Sequence, residues 1–242
     1  MGISSSVPSV SKTRLERGIS SSVPSVIAIF RYAVVTGANK GTGFEICRQL
    51  ASNGITVMLT ARDDKRGLEA VEKLKQSGYD NVIFHQLDVA DSASVESLAD
   101  FVKSKFGKLD ILVNNAGING VVVDGGALSG FDKNVINEWA VGVLRDVENL
   151  TEEKVDEVLR KYLNDFKEGS PETKGWPASM SAYIMSKATM NAYTRILAKK
   201  YPNVVINCVC PGYVKTGLTY NSGALTTKKR CRKSCLLSIV AK

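Results

Sequence analysis

A chain of 242 residues is long enough for one α/β domain with a full core, or for two small domains. With 44% apolar and 23% charged residues it has the composition of a soluble globular protein, and no apolar run approaches the length of a membrane-spanning helix. The formal charge of +8 is concentrated at the ends: residues 222–242 carry six Lys/Arg and no acid, residues 1–31 carry four Lys/Arg against one Glu, and the near-neutral body between them gives no ground for a nucleic-acid partner.

The first thirty residues are serine-rich and contain GISSSVPSV twice, at 2–10 and 18–26. Two copies of a nonapeptide do not make a solenoid, so the stretch reads either as a disordered extension or as an organellar transit peptide. From residue 31 strands and helices alternate. RYAVV (31–35) is a strand, followed by a glycine-rich turn and a helix over 42–52 closed by Gly54. ITVMLT (55–60) is the second strand, and the helix over 63–77 puts Leu68, Val71 and Leu74 on its inner face and stops at Gly78. VIFHQLD (82–88) is the third strand. Asp91 caps a helix over 92–105 with Val95, Leu98, Phe101 and Val102 inward, and LDILVNN (109–115) is the fourth strand. Four such alternations predict a doubly wound parallel sheet of Rossmann type with helices on both faces, in a single domain over 31–221.

The rhythm then breaks. Residues 151–168 form an amphipathic helix with Val155, Val158, Leu159, Tyr162, Leu163 and Phe166 on one face. A helix over 181–200 and a strand over 204–210 follow, and no convincing strand stands between 124 and 203. Beyond 221 the chain reads as a basic, irregular tail. Cys208 and Cys210 alternate with apolar residues, as buried thiols in a strand would. Cys231 and Cys235 lie in the tail, where a zinc site would lack partners because His85 is the sole histidine; no metal site is expected. The thiols and the absence of a recognisable secretory signal point to a reducing, cytoplasmic compartment, with an organelle as the alternative if residues 1–30 are a transit peptide.

TGANKGTG (36–43) lies between the first strand and the first helix. Gly37, Gly41 and Gly43, with Asn39, Lys40 and Thr42 between them, make a turn whose backbone can approach a pyrophosphate at the positive end of the helix. The spacing G-x3-G-x-G differs from the usual dinucleotide fingerprint, and it resembles the short-chain dehydrogenase/reductase family. NNAG (114–117) at the end of the fourth strand, the Tyr183/Lys187 pair as Y-x3-K, and Pro211, Gly212 and Thr216 as the PG turn with its threonine carry the same resemblance. Longer stretches, RYAVVTGANKGTGFEICRQLASNGITVMLTARD and NEWAVGVLRDVENLTEEKVDEVLRKYLNDFKEGSPETKGW, look like the plant neomenthol dehydrogenase and salutaridine reductase group. The helix at 151–168 then corresponds to that group's additional helical segment.

The resemblance implies an NADPH-dependent carbonyl reductase that moves a hydride between the nicotinamide and a ketone or secondary alcohol, as a monomer. It implies Tyr183 as the proton donor and Lys187 as its activator and ribose anchor. Asp88 and Val89 would contact adenine. Asn115, Ala116, Gly117, Pro211, Gly212, Val214 and Thr216 would complete the cofactor site. A lysine ammonium beside a phenol stabilises the phenolate, which suits the pair to proton transfer. The second strand ends without an acid at Thr60-Ala61, and Arg62 and Lys40 favour a 2′-phosphate; Asp63, the counter-argument, is placed to cap the next helix. An extended, epimerase-type relative fits poorly because its glycine spacing differs.

One part is missing. The family's catalytic serine sits on a fifth strand, and an asparagine on the helix before it completes a proton relay. Here GVVVDGGALSGF (120–131) runs directly into DKNVINEWAVG (132–142), which reads as an internal loss near 130–134, and the family's last strand is replaced by TTKKRCRKSCLLSIVAK. Ser170, Ser179 and Ser181 are substitutes on paper, and Asn134 and Asn137 are weak stand-ins for the asparagine. Without a fifth strand, the fourth strand must pair directly with the strand at 204–210, or the C-terminal half must be loose. The alternative function is a catalytically silent variant that retains at most nucleotide binding.

Overall fold

The computed structural model describes residues 30–118, 137–169, 171–177, 180–234 and 239–241. The serine-rich repeat, Asn134, Ser170 and Ser179 lie outside them. In chain order the elements are β1 (Tyr32–Val35), α1 (Gly41–Ser52), β2 (Thr56–Ala61), α2 (Asp64–Gln76), β3 (Val82–Gln86), α3 (Ser92–Phe106), β4 (Ile111–Val113), α4 (Glu138–Arg145), α5 (Glu152–Lys167), α6 (Ser181–Lys200), β5 (Val204–Val205), α7 (Thr227–Ser234) and β6 (Ile239–Ala241).

β1 to β4 form the expected parallel unit, in the order β3-β2-β1-β4. Val34 pairs with Met58 on one side and with Leu112 on the other. Central parallel strands are buried on both faces, which is why they read as continuous apolar runs. One face packs Ala33, Val35, Val57 and Leu59 against Ile46, Leu50, Val71 and Leu74 of α1 and α2. The other packs Val34 and Met58 against Leu98 and Val102 of α3. Asp63 caps α2 by accepting from the Arg66 amide, and Asp91 caps α3 by accepting from the Ala93 amide. Gly107, at φ 69°, ends α3 in the left-handed conformation that a glycine adopts without strain.

The parallel strand that the family places beside β4 is not found among the described residues. The remedy differs from both expectations: β4 does not pair directly with β5, and the edge is not left open. β6, from the tail expected to be irregular, inserts between them and gives the sheet order β3-β2-β1-β4-β6-β5. It runs antiparallel to both neighbours, pairing Val240 with Ile111 and Val205, Ile239 with Leu112, and Ala241 with Val204. An apolar Ile-Val-Ala run suits a strand flanked on both sides, and the edge of β4 supplies the unpaired amides that draw it in. The other part of the tail forms α7, which packs on α1 with Cys231 fully buried among Ile46, Cys47 and Leu50.

Further expectations shift for local reasons. The strand predicted over 204–210 is reduced to Val204–Val205, and Cys208 and Cys210 are exposed. Leu68 is 57% exposed, since Gly67 faces the sheet and a Cβ there would stand 2.0 Å from the Phe84 ring. Val95 on α3 is also largely exposed.

α4, α5 and α6 pack into a cluster of their own, built on Ala140, Leu144, Leu150, Val158, Trp176 and Met185, which includes no strand residue. On α5, Leu163 and Phe166 face outward and Asp165 faces in. Its carboxylate accepts from Trp176 Nε1 at 2.7 Å and from Lys174 Nζ at 2.9 Å, and Lys161 stands 3.6 Å away. These bonds, that from Trp176 first, hold the Asp165 carboxyl below the usual carboxylate range.

Two expectations follow for urea unfolding. Gly67→Ala lowers stability by about 1–3 kcal/mol, because the Phe84 ring must be displaced. Asp165 has a lowered native pKa, so its contribution is complete above the unfolded carboxylate value of about 3.9 and is lost as pH falls through the native value. Asp165→Asn is therefore less stable than wild type at neutral pH, and the difference between the two narrows as the solution is acidified below about pH 3.9.

Candidate active site

The turn after β1 is built by its neighbours. The Thr36 amide donates to Val113 O at 3.0 Å and the Ala38 amide to Thr60 O at 2.8 Å, so the turn hangs from β4 and β2. The Thr36 hydroxyl accepts from the amides of Asn115 and Ala116, both at 2.9 Å. Asn115 Nδ2 in turn donates to Thr36 O at 2.9 Å and Gly37 O at 3.1 Å. These bonds join NNAG to the glycine turn, and they make the Asn115 side chain a brace of the turn. Thr36 was not singled out from sequence; the signal available was the threonine that opens TGANKGTG.

Glycine is required at two of these positions. A Cβ on Gly37, at φ 60°, would lie 2.8 Å from Ala116 Cα; one on Gly43 would lie 2.5 Å from Asn115 Nδ2 and 2.9 Å from Ala38 Cα. The N-terminus of α1 above this turn has no side-chain cap and no acid in its first turn, which leaves its dipole open to an anionic group. Those are the features a pyrophosphate requires, and the residues fit a dinucleotide.

Lys40 at the N-cap of α1 and Arg62 directly after β2 are both exposed. Asp63 is engaged by the Arg66 amide at 2.9 Å, with the Arg66 guanidinium 3.8 Å away. Asp88 accepts from the Ala90 amide at 3.0 Å, which shapes the turn after β3 and leaves Val89 54% exposed. Val89, Thr36 and Asn114 stand at one end of an apolar groove of about 530 Å³ that runs between α3 and the β1–β4 face.

From the C-terminal half, Thr216 reaches the glycine turn: its Cγ2 lies 3.5 Å from where a Gly41 Cβ would be. Val214 is buried and bridges to Leu225, while Pro211 and Gly212 are exposed, Gly212 at φ 69°. The structure thus brings Gly37–Gly43, Asn115, Ala116 and Thr216 together around the start of α1.

Tyr183 and Lys187 lie one turn apart on α6, with Lys187 Nζ 5.8 Å from the Tyr183 ring centroid. Tyr183 is half-buried and Lys187 exposed. Of the paper substitutes for the serine, Ser181 has its hydroxyl 2.8 Å from the Tyr162 hydroxyl, which ties the first turn of α6 to α5. Asn137 is the N-cap of α4, accepting from the Ala140 amide and donating to Lys174 O. Both are structural in this arrangement.

Comparison with known proteins agrees with the arrangement. The short chain dehydrogenase family model matches residues 31–156. (+)-Neomenthol dehydrogenase of Arabidopsis thaliana is 46% identical, over 87% of this chain and 92% of its own length. That alignment spans 271 positions, more than the 242 residues of this chain, so some of its positions face gaps here, as an internal loss requires. The solved structure of salutaridine reductase from Papaver somniferum superposes with a TM-score of 0.78 at 42% identity, covering 84% of this chain and 93% of that one. A more distant relative, carbonyl reductase [NADPH] 3 of Mus musculus, is 32% identical over 87% of this chain and 91% of its own length. With its glycine turn braced by NNAG and its tyrosine and lysine on one helix, this chain belongs to the short-chain dehydrogenase family of oxidoreductases.

Proposed function

We propose that the chain uses NADP(H) to interconvert a small-molecule ketone and its secondary alcohol, with Tyr183 as the acid–base group. The observation that carries this reading is the cradle at Gly37 and Gly43 beneath the uncapped start of α1, which a Cβ at either position would fill. The 2′-phosphate is the better match to the residues around it. Lys40 and Arg62 are exposed cations at the strand ends, and Asp63, the one acid placed to bind a ribose 2′-hydroxyl, is engaged as the cap of α2. The relative named for NADPH supports the same choice.

When bound, the nucleotide supplies or accepts the hydride. Tyr183 gives its phenolic proton to the carbonyl oxygen as the alcohol forms, and Lys187, one turn along α6, offsets the charge left on the phenolate. Of the serines nominated from sequence, Ser181 alone lies among the described residues, and its hydroxyl pairs with that of Tyr162, so the reading includes no second hydrogen-bond donor like the family's serine. A donor of that kind is worth about 10²–10³ in rate, so turnover is expected to be slow beside that of relatives with a complete set. The terpenoid and alkaloid names of the relatives favour a bulky cyclic ketone.

Loss of nicotinamide absorbance with NADPH and a cyclic ketone tests the reading. Tyr183→Phe is expected to cut turnover by about 10²–10⁴ while leaving NADP(H) affinity unchanged. Arg62→Glu is expected to weaken NADP(H) by at least about tenfold relative to NAD(H), read by nucleotide titration. Folded protein that binds neither nucleotide overturns the assignment; binding without any turnover overturns the role of Tyr183.

A further inference from the structure

The segment 211–216 reaches the glycine turn through Thr216, yet it leaves the sheet from β5, a strand of two residues. Among the described residues β5 is tied to the sheet through β6, and Val240 alone pairs across both ladders, with Ile111 on β4 and Val205 on β5. The far end of the segment is held separately. The Lys215 amide donates to Leu225 O at 2.7 Å and the Leu225 amide to Tyr213 O at 3.3 Å. Shortly after Leu225 comes α7, docked on α1 through buried Cys231, whose Sγ lies 3.6 Å from Thr42 O within the glycine turn.

We propose that α7 and β6 act as a C-terminal clasp that sets segment 211–216 against the glycine turn, and that the Val240 backbone is its positioning element. The clasp rests on the dinucleotide reading for its consequence in binding, and on the fold alone for its consequence in local order. One end of the segment is fastened to β4 by β6, and the other to α1 by α7. Release of β6 removes the sheet's hold on β5 and loosens the segment up to Lys215, which keeps the bond of Cys208 Sγ to Asn191 Oδ1 on α6 at 2.7 Å, while the glycine turn, Arg62, Asp88 and Val89 keep their own supports on β1, β2, β3 and β4. On the dinucleotide reading, the adenosine end at Arg62, Asp88 and Val89 therefore does not depend on β6, and the part of the nucleotide that lies against Thr216 does.

Val240→Pro tests this in the full chain, because proline removes the amide and does not fit the middle of a sheet. Val240→Thr, which keeps the amide, is the control. Amide hydrogen exchange without nucleotide is the first measurement. In Val240→Pro, residues 204–216 are expected to lose protection by at least about tenfold, while Tyr32–Val35 and Thr56–Ala61 keep theirs. Titration with NADP⁺ and with adenosine 2′,5′-bisphosphate is the second. NADP⁺ affinity is expected to fall by at least about tenfold, with the bisphosphate unchanged within about twofold. A merely structural strand would lower the melting temperature and leave the ratio of the two affinities as in wild type, which overturns the proposal. So does exchange that stays protected over 211–216. If Val240→Pro does not fold, Ala241→Pro, which leaves the pairing of β6 with β4 in place, is read by the same criteria. A wild-type chain that binds neither compound sinks the dinucleotide reading, and the exchange measurement still decides the clasp.

Discussion

The inner edge of β4 carries amides and carbonyls that need partners. Each polar backbone group left buried without one costs about 1–3 kcal/mol, against a total stability of about 5–15 kcal/mol for a domain of ordinary size. The family meets that need with a parallel strand, and this chain meets it with Ile239–Ala241 running the opposite way. Direction matters less than occupancy, because an antiparallel ladder satisfies the same edge. With β6 in place β5 has a partner as well, so one short strand closes two edges at once.

That substitution shapes the site. The glycine turn rests on β1, β2 and β4 and is locked by reciprocal bonds between Thr36 and Asn115, while Thr216 and Cys231 reach it from the C-terminal half. Tyr183 and Lys187 belong to a separate body, the α4–α5–α6 cluster, held together by Trp176, Met185 and the Asp165 network. The segment with Thr216 belongs to neither body and reaches the turn from β5. The glycine turn and the tyrosine–lysine pair thus stand on units with different cores.

The serine is the clearest case. Proton donation from a tyrosine needs one phenol and a nearby cation, and both sit on a single helix, independent of the parallel strand that is not found beside β4 among the described residues. A second donor to the carbonyl must come from another element at the strand edge. Ser181 shares the helix with Tyr183, but its hydroxyl meets Tyr162 and serves to join α6 to α5. Sequence proximity to Tyr183 places Ser181 in the first turn of α6, which faces the helix packed beneath it.

Local patterns determined a good deal by themselves. The alternation over 31–115, the caps at Asp63 and Asp91, the stop at Gly107 and the glycine spacing of 36–43 each express short-range chemistry: hydrogen bonds a few residues apart, φ angles open to glycine, apolar periods matched to strand or helix. The tyrosine–lysine pair was legible for the same reason, since four residues make one helical turn. What the chain does with IVA near its end was not legible, because three apolar residues after a basic run carry no sign of the edge they will fill. The same holds for Cys231 beneath the glycine turn, for the outward Leu68, and for the inward Asp165, whose place is explained only by Trp176 eleven residues away. Each of these depends on contacts between segments distant in sequence or on the exact rotation of a helix, and only the packed molecule decides such matters.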